Sequence, residues 1–189
     1  MTIFRCLAFI LLLPALSGCT VIAIGGVVAG TAVLLDSRQV NTQIDDSGLR
    51  LRVTKAIEDD AELKLQRIIV IAYNGDVLLV GQVINDGLKR KAEHIARNVG
   101  EPLNLFNELQ VGNLATLSDR SKDTWITTRV KSQLLRDPNY DTSGIKVVTE
   151  NNEVFLLGVV DEKIAQHAVD VARNISGVKR VIRVFNITQ

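Results

Sequence analysis

Cysteine is almost missing from this chain: of 189 residues only Cys6 and Cys19 carry a thiol, both near the N-terminus. No disulfide framework can brace the rest, so the fold must stand on a packed core. An excess of either charge is missing too, with 22 basic residues against 21 acidic ones. Without a global basic field nucleic acid is excluded as a partner, and attraction to an anionic surface must come from local clustering. Histidine is limited to His94 and His167, far apart and without cysteines or paired carboxylates at metal-ligand spacing. They read as solvated helix residues, and no metal site is expected. No nucleophile elbow or phosphate loop occurs, since Gly25-Gly26 is followed by neither Lys-Ser nor Lys-Thr. The carboxylate clusters Asp45-Asp46 and Glu58-Asp59-Asp60 fall in a linker and at a helix end, where they read as turn and solvation residues. The chain therefore reads as a non-enzyme without a cofactor.

What is present begins at the N-terminus. One basic residue, Arg5, precedes a short apolar run that ends in Leu16-Ser17-Gly18-Cys19. A charged start, an apolar centre and small residues before the cut describe a bacterial secretory signal over residues 1–18. The small pair followed by cysteine is the lipobox pattern, which predicts cleavage before Cys19, a diacylglycerol on its thiol and acylation of the new amine. The run from Cys6 to Leu13 is too short to cross about 30 Å of hydrocarbon. Acyl chains contribute roughly 0.8 kcal/mol per buried methylene, so several together hold a protein almost permanently. Thr20 follows the cysteine; an aspartate there would retain the protein in the inner membrane, so the outer membrane is favoured. Arg5 leaves with the signal, and the mature chain is formally neutral. Residues 19–45 read as a tether: an apolar, glycine-containing piece from Val21 to Leu35, shorter than a spanning helix needs, then a polar linker from Asp36.

From Gly48 onward the chain repeats itself. Asp76-Val77-Leu78-Leu79-Val80-Gly81-Gln82-Val83 corresponds to Glu153-Val154-Phe155-Leu156-Leu157-Gly158-Val159-Val160 at an offset of 77 residues. At the same offset Leu49, Val53 and Ile57 fall on Ile126, Val130 and Leu134, one apolar stripe at helical spacing in each copy. Two β-rich runs follow around a tight turn, Asn74-Gly75 in the first copy and Asn151-Asn152 in the second. A second helix has the stripe Leu88, Ala92, Ile95, Val99 or Ile164, Ala168, Val171, Ile175, and a last strand closes the unit. The order is α-β-β-α-β, in units at 46–112 and 121–189. The middle strands are apolar on both faces, with Val77, Leu79 and Val83 on one and Leu78 and Val80 on the other. Two helices cover only one face of a three-stranded sheet, so the two units should pack on each other or on a partner.

Duplicated α-β-β-α-β units with the strand glycines Gly81 and Gly158 resemble BON domains, and two of them behind a lipobox resemble the dual-BON-domain outer-membrane lipoproteins of Gram-negative bacteria. The resemblance is strongest over Ser121–Leu135 and over Gly177-Val178-Lys179-Arg180-Val181. It implies an α+β fold of two tandem BON domains, each with a three-stranded mixed sheet and two helices on one face. It further implies a periplasm-facing outer-membrane protein that binds anionic phospholipid, phosphatidylglycerol or cardiolipin, and supports envelope integrity and cell division. Gly81 and Gly158 are expected to permit close helix–sheet packing or a turn rather than to touch a ligand.

The two copies differ on one face. Opposite the core stripe, the first helix of the second unit carries Trp125, Thr128, Arg129, Lys131, Ser132, Leu135 and Arg136. Over Ser121–Arg136 four basic residues oppose Asp123, a net charge of +3. The first unit has Gly48, Lys55, Glu58 and Asp59 in the matching positions, with Asp60 and Glu62 nearby, so that face has no aromatic and becomes acidic. A tryptophan among cations suits a helix lying at a membrane interface. Each basic residue near an anionic surface contributes about 1 kcal/mol, so the net charge supplies about 3 kcal/mol before Trp125 and Leu135 are counted. That is a millimolar-class affinity, sufficient for a tethered module. In the lipoproteins it resembles, this helix is the membrane contact. The competing reading has Trp125 capping the core or the seam between units, since tryptophans are mostly buried. The alternative function is a protein-binding adaptor, whose apolar sheet surface or Trp125 face engages an envelope partner such as the outer-membrane protein assembly machinery.

Overall fold

The structure is a computed structural model that describes residues 40–188; the signal, Cys19 and the apolar tether lie outside the described residues. The first unit contains α1 (Val40–Asp59), β1 (Arg67–Tyr73), β2 (Asp76–Val83), α2 (Asp86–Gly100) and β3 (Leu105–Val111). The second repeats the order with α3 (Leu117–Leu134), β4 (Lys146–Glu150), β5 (Glu153–Asp161), α4 (Glu162–Arg173) and β6 (Arg180–Thr188). In each sheet the middle strand, β2 or β5, pairs antiparallel with the strand before it and parallel with the last one. Each unit is thus a three-stranded mixed sheet, and the fold is α+β.

Turn and cap residues explain where these elements begin. Asn74 and Gly75 have φ of 53° and 81°, and Asn151 and Asn152 have 51° and 63°. Both turns have the two positive φ values of a type I′ hairpin, which glycine and asparagine adopt most readily. Asn85 and Asp161 are the N-caps of α2 and α4, accepting from the N–H groups of Leu88 at 2.9 Å and Ile164 at 2.8 Å. A capping box between Thr116 and Asp119 starts α3. That box extends the helix one turn upstream of the expected Ser121. Likewise α1 begins at Val40, so most of the segment read as polar linker is helical.

Apart from Leu88, the second helices bury small residues rather than the large apolar ones of their stripes. In α2 the buried line is Leu88, Ala92, Ala96 and Gly100, while Val99 is exposed. In α4 it is Ala165, Ala168 and Ala172, with Ile164, Val171 and Ile175 only partly buried. Gly100 lets α2 approach α1: a Cβ there would lie 2.7 Å from Val53 Cγ2 and 3.0 Å from Leu49 Cδ1.

The middle strands distribute their side chains as alternation requires. Val77, Leu79 and Val83 join the core under α1 and α2. Val154, Leu156 and Val160 do the same under α3 and α4. The opposite sheet faces meet each other: Ile71, Tyr73, Leu78 and Val80 pack on Phe155, Leu157 and Val184, flanked by Ile69, Phe106, Val148 and Ile182. The molecule is therefore helix, sheet, sheet, helix. Two polar contacts show that this pairing has approximate twofold symmetry. Tyr73 OH donates to the carbonyl of Gly144, and Arg67 donates through Nε and Nη2 to the two oxygens of Glu150, both at 2.8 Å. Shifting each first-unit residue forward and each second-unit residue back by the 77-residue repeat exchanges one pair for the other. The duplicated chain satisfies its second sheet face as an isologous dimer would, within one polypeptide.

Glu150 is buried, and Gln82 Nε2 donates to it at 2.9 Å beside Arg67. Desolvating a carboxylate is tolerable only when its oxygens are filled in this way. Donating to Glu150 raises the Arg67 pKa above its ordinary value, against the opposing effect of burial. Asn186 to Asp76 at 3.0 Å, Arg180 to Glu108 at 3.1 Å and Asn151 to Gln110 at 2.6 Å complete a polar rim around the sheet-to-sheet seam.

Gly81 and Gly158 serve closeness between strands rather than between helix and sheet. Gly81 has φ of 124°, and a Cβ there would lie 2.0 Å from the Arg67 carbonyl oxygen on β1. At Gly158 a Cβ would stand 3.3 Å from the Gly144 oxygen, and the backbone needs no left-handed conformation.

Candidate membrane-binding face

Helix α3 is fixed from beneath and bare above. Ile126, Val130 and Leu134 are buried in the second core. Asp123, only 4% exposed, accepts hydrogen bonds from the backbone N–H of Asn151 and Asn152, each at 2.8 Å. Burial pushes its carboxyl pKa up, and the two N–H bonds only partly oppose that shift. Thr127 adds a 2.7 Å bond to Thr149 on β4. The same device works in the first unit, where Asp46, 5% exposed, accepts from Asn74 at 2.8 Å and Gly75 at 2.9 Å. These aspartates read in the sequence as solvation and surface charge. They are instead matched internal pins, one helix turn before the first core leucine or isoleucine, each clamping a hairpin whose N–H groups would otherwise be orphaned. Their equal offset from the turns was the available signal.

Removing Asp123 from the surface leaves the outward side of α3 without an acid between Lys122 and Arg136. Trp125, Thr128, Arg129, Lys131, Ser132, Leu135 and Arg136 are all exposed. Trp125 is 48% exposed and Leu135 71%, so neither caps the core. The helix itself stops at Leu134, which places Leu135 and Arg136 in its closing turn. The Arg129 guanidinium lies 5.7 Å from the Trp125 ring centroid, a cation–π distance. Sequence reasoning missed Leu117, which is 78% exposed at the helix start. Leu117 and Leu135 are 18 residues apart, five helical turns, and so lie on one line along the helix; Trp125, about 80° round from that line, shares its outward side. Lys122, Arg129 and Arg136 flank that line on one side, and Arg120 and Lys131 on the other. None of these five cations forms an ion pair among the described residues. At the helix start the Asp119 carboxyl is held below its usual range, first by the Thr116 hydroxyl and N–H and further by Lys122 and Lys179.

The matching face of α1 pairs part of its charge internally, although Arg52, in the place of Arg129, is exposed. Gly48 stands where Trp125 does, Lys55 pairs with Asp59 at 3.0 Å, and Lys91 holds Asp60 at 2.8 Å and Glu62 at 2.6 Å. Of the two histidines, His94 is bonded to Asn98 at 2.9 Å, and the His167 ring stacks on Tyr140. No group of three or more metal-binding side chains occurs among the described residues.

Two matches to the BON domain family cover residues 45–113 and 122–189, the two repeats just described. The chain belongs to the BON domain family. It is 43% identical over 171 residues to the "Outer membrane lipoprotein DolP" of Haemophilus influenzae, covering 90% of this chain and 89% of that protein. It is 40% identical to the "21 kDa hemolysin" of Actinobacillus pleuropneumoniae, over 82% of this chain and 80% of the relative. With the "Osmotically-inducible protein Y" of Escherichia coli it shares 28% identity over 81% of this chain and 78% of that one. No catalytic family is indicated. In BON terms, α1 and α3 are the first helices of domains 1 and 2, and the bare apolar and basic line belongs to domain 2.

Proposed function

We propose that this BON protein is a lipoprotein of the outer membrane, anchored through acylated Cys19 and facing the periplasm, that binds anionic phospholipid through α3 and supports envelope integrity, including at the division site. The observation that carries the reading is the outward face bearing Leu117, Trp125 and Leu135, with cations that form no ion pair on both sides, on a helix pinned from below. Such a helix can lie flat, its apolar side chains at headgroup depth and its cations against phosphate, as interfacial helices do. No helix among the described residues is long and apolar enough to cross a membrane, so the attachment available to this part of the chain is to the surface of a bilayer. Phosphatidylglycerol and cardiolipin supply the negative charge that the cations need. The relative named as an outer-membrane lipoprotein supports the location.

The alternative adaptor reading loses one of its two surfaces, because the apolar sheet faces are filled by each other. Its remaining surface is the Trp125 line itself. Flotation of the soluble chain with vesicles separates the two. Binding to vesicles containing phosphatidylglycerol or cardiolipin, absent with neutral vesicles and weakened by salt and by Trp125→Ala, is the expected result. Absence of binding to every vesicle at high lipid would overturn the lipid reading and leave the Trp125 line to a protein.

A further inference from the structure

Beside the end of α3 runs a groove of about 410 Å³ between its closing turn and α4. Its lining includes Arg136, Pro138, His167, Val171 and Ile175. Three properties set it apart from an ordinary surface furrow. Arg136 belongs both to the groove and to the basic line along α3, so the two are continuous, and its guanidinium has no ion-pair partner among the described residues. Pro138, Val171 and Ile175 give the groove apolar surface beside that cation. The His167 ring, held against Tyr140 at a centroid distance of 3.8 Å and an interplanar angle of 2°, makes one wall rigid. Its Nε2 is enclosed and has no hydrogen-bond partner. The one acid in the lining, Asp137, is engaged by the N–H and side-chain amide of Asn139 at 3.0 and 2.8 Å.

We infer that this groove seats a single glycerophospholipid molecule, its phosphate on Arg136 and its glycerol and first acyl carbons against Pro138, Val171 and Ile175. The inference rests on the lipid reading of α3 and deepens it: docking then has two parts, a flat electrostatic contact along the helix and one stoichiometric lipid at its end. A cation next to an apolar trough matches a molecule with an anionic phosphate next to hydrocarbon. Inorganic or glycerol phosphate offers only the first half.

The test uses the chain without residues 1–32, the remainder of which forms one compact unit. Methyl resonances of Val171 and Ile175 are followed as dihexanoyl phosphatidylglycerol is added below its micelle concentration, with glycerol 3-phosphate as the headgroup-only control. The expected result is saturable shifts of both residues with the lipid and none with glycerol 3-phosphate. Arg136→Gln, an exposed substitution that leaves the core intact, should weaken this binding about fivefold, the effect of about one charge at a lipid surface. Asn174→Trp, which fills the groove mouth, should abolish the shifts while vesicle flotation persists. Shifts confined to the Trp125 line, or equal shifts with glycerol 3-phosphate, would overturn the seat but leave the docking reading intact. Loss of flotation in the unsubstituted chain would overturn both.

Discussion

Helices α1 and α3 occupy equivalent places in the two BON domains, and comparing them separates what the core demands from what the surface is free to become. Their inward stripes, Leu49, Val53, Ile57 and Ile126, Val130, Leu134, are interchangeable in kind and equally buried. Their pins, Asp46 and Asp123, make the same two backbone bonds. Outward they share little beyond one exposed arginine, Arg52 on α1 and Arg129 on α3. Lys55 and Lys91 beside α1 are tied to neighbouring carboxylates, whereas none of the cations on α3 has a carboxylate partner among the described residues, and a tryptophan and two leucines stand among them. One copy neutralises part of its charge locally, and the other leaves it for something outside the molecule. The glycines diverge in the same spirit: Gly81 is forced by backbone geometry, and Gly158 is only convenient.

The strongest way to break this comparison is at the glycines. Gly81→Ala should cost about 3 kcal/mol in urea unfolding, because a Cβ has no place beside the Arg67 carbonyl, whereas Gly158→Ala should cost less than about 1 kcal/mol. Equal losses would mean that the two middle strands are built alike. At the shared seam, Phe155→Ala should cost about 3 kcal/mol and expose the first sheet to solvent, read as increased dye binding alongside the denaturant midpoint.

On vesicles containing phosphatidylglycerol, Trp125→Ala should reduce binding about tenfold, equivalent to 1.4 kcal/mol, with little change in folding stability because the ring is half exposed. A smaller effect is expected from single charges. Lys131→Ala should weaken binding about fivefold, and Lys55→Ala, on the equivalent helix, should leave it unchanged. If Lys55→Ala matched Lys131→Ala, both domains would touch the membrane.

The smallest expected effect is a pH dependence. Burial raises the Asp123 pKa above its unfolded value, so the folded chain holds that proton more tightly than the unfolded chain does. This residue's contribution should therefore decline as pH rises, from the ordinary carboxylate pKa up to the raised one. The difference in unfolding free energy between the native chain and Asp123→Asn, measured across that window, should change in the same direction and be flat above it. A difference that grows in favour of the native chain with rising pH would contradict the assignment.

Much of this was legible before folding because the repeat acts as an internal control. Val77, Leu79 and Val83 against Leu78 and Val80 stated that the sheet has two apolar faces, and the asparagine and glycine turns fixed the hairpins. The outward positions of α3 followed from counting around a helix. What escaped was any feature whose meaning lies in a distant neighbour. Asp46 and Asp123 are charged, and a local reading puts charges in water; only the hairpin folded back beside them supplies the N–H groups that make burial tolerable. Leu117 was missed because the capping box extends the helix beyond the repeated segment. Val99 was assigned inward because it is large and apolar, although the buried line of α2 runs through Leu88, Ala92, Ala96 and Gly100.

By itself the sequence determined the duplication, the α-β-β-α-β order, the need for a second cover on each sheet and the face of α3 left outside, because all of these are periodicities along one chain. The tertiary structure alone decided that the second cover is the other domain, that Glu150 can be buried because Arg67 and Gln82 meet it, and that a groove opens between α3 and α4. Those depend on which surfaces fold back on which, and complementarity between residues so far apart leaves no local trace.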